Sequence, residues 1–263
     1  MNRIITVVVA LASLIGVARS QPASADAAAG RELVKRYSDA IIGVELVVTI
    51  KMKMGDREAP PQEQRIEVNG TVLTADGLTV TSLANVDPQA AFEGQRALRQ
   101  GGRGGPELVS ADFKEVKLRL ADGKEVPARF VLKDADLDLA FMAPETAEPG
   151  REYAHVKLTE AAAGEILNRY FFVSRAPKTL QRVPLVQATD IIGVVEKPRR
   201  LFLLSNQQLS TPVFDLSGRV LGVSLQYFSN GRPSGVVVLP AADIAEMAKQ
   251  AAAAQATPAK TGN

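Results

Sequence analysis

The sequence predicts an all-β fold with a short helix at each end of the folded region. Three observations carry that prediction. Short runs of β-branched and apolar residues recur about every 8–12 residues, as in sandwiches and barrels. Asp-Gly, Ser-Gly and Asn-Gly pairs punctuate them at 76–77, 122–123, 217–218 and 230–231, where hairpins turn. A helical polar/apolar rhythm is confined to residues 31–40 and 241–254.

In chain order, 31–40 place Leu33, Val34 and Tyr37 on one side of a helix, and 41–50 form a first strand. Residues 55–64 are turn chemistry, with Gly, paired Pro and charge. A strand follows at 66–73, then the Asp76-Gly77 turn and a strand from 78 to 82. Residues 88–112 contain a Gly- and Arg-rich stretch without apolar period and are expected as a mobile surface loop, Arg96, Arg99 and Arg103 being solvated. Alternation at Val116, Leu118 and Leu120 marks a half-buried strand, paired through Asp122-Gly123 with 126–132. Further strands are expected at 137–142, 170–174, 183–186, 191–195 and 201–204, and consecutive hairpins at 211–216, 219–227 and 235–239. Residues 248–254 are too poor in large apolar side chains to bury much surface.

Composition excludes several chemistries. Of 263 residues none is Cys and one is His, so disulfides, thiolate nucleophiles and zinc sites of the usual His or Cys kind are not expected; the metal expectation is none, and no cofactor is implied. Arg3, the apolar run 4–17 and Ala23-Ser24-Ala25 have the order of an export signal, assigning 1–25 to a signal peptide. The run has 14 residues, against about 20 needed to span a bilayer. Cleavage is expected, leaving no integral membrane span; a retained anchor is the alternative. Removing Arg3 and Arg19 lowers the basic residues from 31 to 29, equal to the 29 acids. The mature chain is then formally neutral, and no nucleic-acid partner is expected.

Three segments in order resemble the HtrA/DegP branch of trypsin-like proteases. Residues 70–86 (GTVLTADGLTVTSLANV) resemble the family segment carrying the catalytic His, and 116–142 (VKLRLADGKEVPARFVLKDADLDLAFM) the segment carrying the catalytic Asp. Residues 207–239, with QQLSTPVFDLSGRVLGVSLQYF and then GVVVLP, resemble the segment carrying the nucleophile. With the leading helix the resemblance covers most of 31–245. It implies a trypsin-like double β-barrel: helix 26–40, first barrel 41–148, second barrel 149–245, and an Ala-rich helix end and tail at 246–263. No PDZ domain is expected after Pro240, and trimerisation is not implied.

The family's catalytic residues do not carry over. The His position falls on Ala84, a one-residue slip giving Asn85; the Asp position falls on Asp138; the nucleophile position falls on Leu209. The oxyanion-equivalent positions are Gln207 and Leu209, in a turn where Ser210 and Thr211 replace the family's glycines, and a β-branched Thr does not readily take φ > 0. A serine hydroxyl needs a positioned base, and losing base or nucleophile alone costs roughly a million-fold in a comparable triad enzyme. The resemblance therefore implies a pseudoprotease. Ser210 is one position from the nucleophile slot and would need a base; the single His155 is expected as a surface or half-buried strand residue, and Asp138 as a structural carboxylate. The alternative is an active serine endopeptidase with a non-standard arrangement. For an inactive barrel the expected use is binding a protein or extended peptide by strand addition, along Gly222, Val223, Ser224, Leu225, Gly235, Val236 and Val237. A structural role in a larger exported assembly, or association with an active HtrA-like protease, is the companion expectation. The expected location is the periplasm or cell exterior of a bacterium.

Overall fold

A computed structural model describes residues 25–98 and 105–256. The signal segment, the polar tail after 256 and the centre of the Arg/Gly-rich loop lie outside them.

The chain enters through helix α1 (Ala25–Tyr37) and one 3₁₀ turn. Seven strands follow: β1 (Ile41–Met54), β2 (Arg57–Glu58), β3 (Gln62–Val72), β4 (Thr79–Ser82), β5 (Glu107–Arg119), β6 (Glu125–Asp134) and β7 (Leu139–Pro144). All pairings are antiparallel, in the order β2-β1-β3-β4-β7-β6-β5. Since β5 also pairs with β1, from Gly43↔Arg119 to Lys53↔Glu107, the sheet closes on itself and β2 hangs off the six-membered ring. Closure removes the exposed edges that an open sheet would present.

The second barrel comprises β8 (Arg169–Arg175), β9 (Pro184–Val195), β10 (Leu201–Leu204), β11 (Thr211–Asp215), β12 (Val220–Ser229) and β13 (Arg232–Pro240), closed in the order β10-β13-β12-β11-β8-β9. Two six-stranded antiparallel barrels in tandem are the trypsin-like double barrel that the sequence predicts. Tyr170, Phe172, Ile191, Phe202, Leu204, Val213 and Val238 fill the second barrel. A separate core joins the two: Leu78, Val80, Leu139 and Phe141 from the first meet Leu201, Val223, Leu225 and Leu239 from the second.

Several sequence expectations are corrected. The expected loop 88–112 begins as helix α3 (Pro88–Leu98), and its end belongs to β5. Pro88 takes the first helical position, where its missing N–H costs nothing, and Asp87 Oδ1 accepts the Gln89 N–H at 2.9 Å. The two strands expected at 183–186 and 191–195 are one, because β9 pairs continuously with β8 from Pro184 to Asp190 and then with β10. Helix α4 (Ala241–Ala256) seals the inter-barrel core with Ile244, Ala248 and Ala251, while the other residues of 248–254 are exposed. Among the described residues no helix is long and apolar enough to cross a membrane.

Candidate functional site

The three resemblance-bearing segments meet in the cleft between the barrels. Strand β4 ends at Ser82, whose extended backbone starts the one-turn helix α2 (Leu83–Val86). Across from it the turn before β7 holds Asp138 with φ 57°, a left-handed conformation that Asp tolerates better than bulkier residues. This conformation aims the carboxylate back at α2. Its Oδ2 accepts the Ser82 hydroxyl at 2.5 Å and the Gln226 N–H of the second barrel at 2.7 Å, while Oδ1 accepts the Ala84 N–H at 2.7 Å. The Asp138 carbonyl accepts the Leu83 N–H at 2.9 Å.

Asp138 is buried, and burial pushes its carboxyl up to about 6; the Ser82 hydroxyl and the N–H groups of Ala84, Gln226 and Leu83 pull against that shift. Two of the three bonds to the carboxylate come from backbone N–H groups and the third from the Ser82 hydroxyl. Ala84, the position to which the resemblance assigned the imidazole, meets Asp138 through its backbone N–H.

The nucleophile turn is tied down from beneath by Ser224. Its hydroxyl donates to the Gln208 and Thr211 carbonyls and accepts the Thr211 N–H, and its own carbonyl accepts the Ser210 N–H at 2.8 Å. Leu209 is half-buried and offers no attacking atom; Gln207 is exposed. The residue of this turn in the left-handed region is Ser210, φ 59°, not Thr211. The strain expected at the β-branched residue is thus shifted one position back.

Ser210 is the polar surprise of the cleft. It is buried, and its Oγ accepts the Ser82 N–H and the Asn85 side-chain amide, both at 3.1 Å. Sequence spacing put Ala84, Asn85 and Ser210 near the site but could not show that Ser210 and Asn85 bond each other. Both partners of the hydroxyl are donors, and neither an amide nor a backbone N–H takes a proton at neutral pH. His155 lies elsewhere. It is half-buried on the irregular segment joining the barrels, not on the expected strand, and its Nδ1 pairs with the Tyr153 carbonyl at 3.0 Å. The Tyr153 N–H and the Val156 N–H donate to the Ala75 and Val72 carbonyls, beside the turn that leads into β4. Ser210 sits at the opposite end of β4, against Ser82.

The expected peptide edge is corrected in part. Gly222, Val223 and Ser224 pair with β11 on one side and β13 on the other, so no partner strand can add there. Pairing with β11 stops at Ser224; from Leu225 to Ser229 the strand is paired through β13. On the other side the Gln226 N–H meets Asp138. Gly235, Val236 and Val237 lie opposite Tyr227, Gln226 and Leu225, and the Gln226 side chain donates to the Gly235 carbonyl at 2.7 Å.

No protein-family model matches this chain, and no curated protein matches it. Among solved structures, the protease domain of MamO from Magnetospirillum magneticum in its apo form is similar to 81% of this chain and 97% of its own length, with a TM-score of 0.49 and 16% identity. The assignment of the trypsin-like double barrel rests on this chain's own strand pairing.

Proposed function

We propose that this chain is a catalytically inactive member of the HtrA branch, an exported pseudoprotease whose double barrel serves as a protein-interaction module in the periplasm or outside the cell. The observation that carries the reading is the state of the cleft. Ala84 and Leu209 fall at the positions the resemblance gives to base and nucleophile. Of the serine hydroxyls lining the cleft, Ser210 receives bonds from two N–H donors, Ser82 donates to the buried Asp138, and Ser224 donates to backbone carbonyl. General-base activation needs an acceptor for the hydroxyl proton, and acyl transfer needs an attacking oxygen. Export rests on the N-terminal signal pattern, and HtrA descent on the three matching segments.

The binding mode this reading favours is strand addition beyond Ser224, where β11 has ended and β12 is paired through β13. A fluorophosphonate probe with peptide mass spectrometry tests the chemistry. No adduct on Ser210 and no cleavage of unfolded casein at neutral pH are expected; an adduct would sink the inactive reading. Incubation with a proteome-derived peptide mixture, followed by mass spectrometry of what co-elutes, tests the binding mode. Recovery of no peptide would refute strand addition and favour a structural subunit.

A further inference from the structure

The outer surface of the second barrel carries an apolar cluster that the cleft does not use. Along β9, Thr189 and Ile191 point inward, and Ala188, Asp190 and Ile192 form the outward stripe. Helix α1 covers the start of that surface: Leu33 and Tyr37 pack with Phe171, Val173 and Phe214, Ala188 lies at the edge of the same cluster, and Gly30 lies against Phe171 and Val186. The helix therefore crosses from β11 over β8 to β9, and its first turn is tied there. Asp26 bonds Arg169 at 3.0 Å, and Arg169 bonds Asp190 at 2.6 Å.

One step further along the stripe the cover ends. Ile192 is 59% exposed, and Leu203, opposite Gly193 on β10, is 37% exposed. The Leu167 N–H donates to the Ile191 carbonyl, which brings Ile166 and Leu167 alongside, 56% and 79% exposed. Leu167 holds φ 68°, a conformation uncommon for a bulky residue, and turns a large apolar side chain to solvent while doing so. The charges beside the cluster leave no basic excess: Asp26 and Asp190 share Arg169, Glu165 bonds the Asn168 side-chain amide, and Arg200 faces Glu196 at 3.8 Å.

We propose that this face is apposed to a lipid bilayer as long as the apolar run 4–17 remains attached. Residues 4–17 are predominantly apolar and partition into a bilayer, and the seven residues 18–24 between them and α1 span at most about 25 Å when extended. The folded part is thus held by the end of α1 that abuts the cluster. A few aliphatic side chains bind a bilayer weakly alone; a tether raises their effective concentration to about the millimolar range, and two signals together give stable attachment. With no basic excess beside the cluster, attachment does not draw on anionic headgroups. This inference does not depend on whether the cleft is inactive.

The chain has no Cys, so single-site labelling reads the geometry directly. Full-length protein carrying an environment-sensitive fluorophore at Ile192→Cys, Leu203→Cys or, as control, Glu58→Cys on β2 of the first barrel is reconstituted into phosphatidylcholine vesicles with headgroup-quencher lipid. Several-fold stronger quenching at 192 and 203 than at 58 is expected. The gain at 203 should vanish in the background Leu167→Asn/Ile192→Asn, in which Asn tolerates the left-handed backbone at 167. Equal quenching at the three positions would overturn the proposal. So would quenching at 203 that survives the double substitution, or a fluorophore shift that grows with protein concentration without vesicles, which would make this face an interface between copies.

Discussion

Asp138 shows how a single buried carboxylate can hold the backbone of two barrels together at a cleft. Its oxygens receive the Ser82 hydroxyl and two N–H groups, one from each barrel. Burial raises its carboxyl to about 6, above an ordinary Asp near 3.8. An acid whose pKa is higher folded than unfolded binds protons more readily in the native state. Its stabilising contribution is complete below about pH 4 and is lost as pH rises through 6. A gap of about two pK units corresponds to about 3 kcal/mol. Urea denaturation at pH 4.5 and 7.5 checks this: Asp138→Asn should remove that share of the pH dependence, and an unchanged pH slope in the variant would refute it. Ser210 shows the other face of the same cleft. Its φ of 59° fits the Gly that the family motif has in this slot, and its hydroxyl fills the site as an acceptor of hydrogen bonds.

At the scale of elements, β12 decides what the cleft offers a partner. Its first half is interior sheet, and Gly222 is there for packing. A Cβ on Gly222 would lie 1.8 Å from the Leu239 carbonyl oxygen on β13, so any side chain forces the two strands apart. Gly222→Ala should cost about 3 kcal/mol, at the upper end of overpacking, seen as a fall in the urea midpoint with unchanged slope. Its second half, from Leu225 onward, holds the Gln226 N–H bonded to Asp138, so a binding partner and the carboxylate compete for neighbouring backbone. Helix α3 was hidden in the sequence by the Gly- and Arg-rich residues after it. Asp87-Pro88 is nevertheless a local start signal, legible once read by position.

Across the whole molecule, the barrels are joined by a shared apolar core that α4 seals. Leu139 and Phe141 of one meet Val223 and Leu239 of the other, and Ala251 is fully buried among them. A polar strap reinforces the junction at the side: Arg182 of the second barrel reaches Glu45 and Glu67 of the first, each at 2.7 Å. Such a junction predicts a single cooperative unfolding transition. Ala251→Asp would place an unpaired charge in that core and should cost about 3–5 kcal/mol. Far-ultraviolet and tyrosine near-ultraviolet circular dichroism should then melt together at a lower temperature; separate transitions for the two signals would show that the barrels fold independently.

The sequence by itself determined the strand-rich architecture and most hairpin turns, because alternation and Asp-Gly turns are local properties. The closure of each sheet, the burial of an alanine-rich helix and the bond between Asn85 and Ser210 were decided only in three dimensions. The same holds for the edge of β12. Which half of a strand is paired depends on where its neighbour stops, and β11 is ended by a turn whose position relative to β12 no periodicity along the chain encodes. Long-range pairing brings together residues 125 positions apart, and their contact energy is set by the fold as a whole.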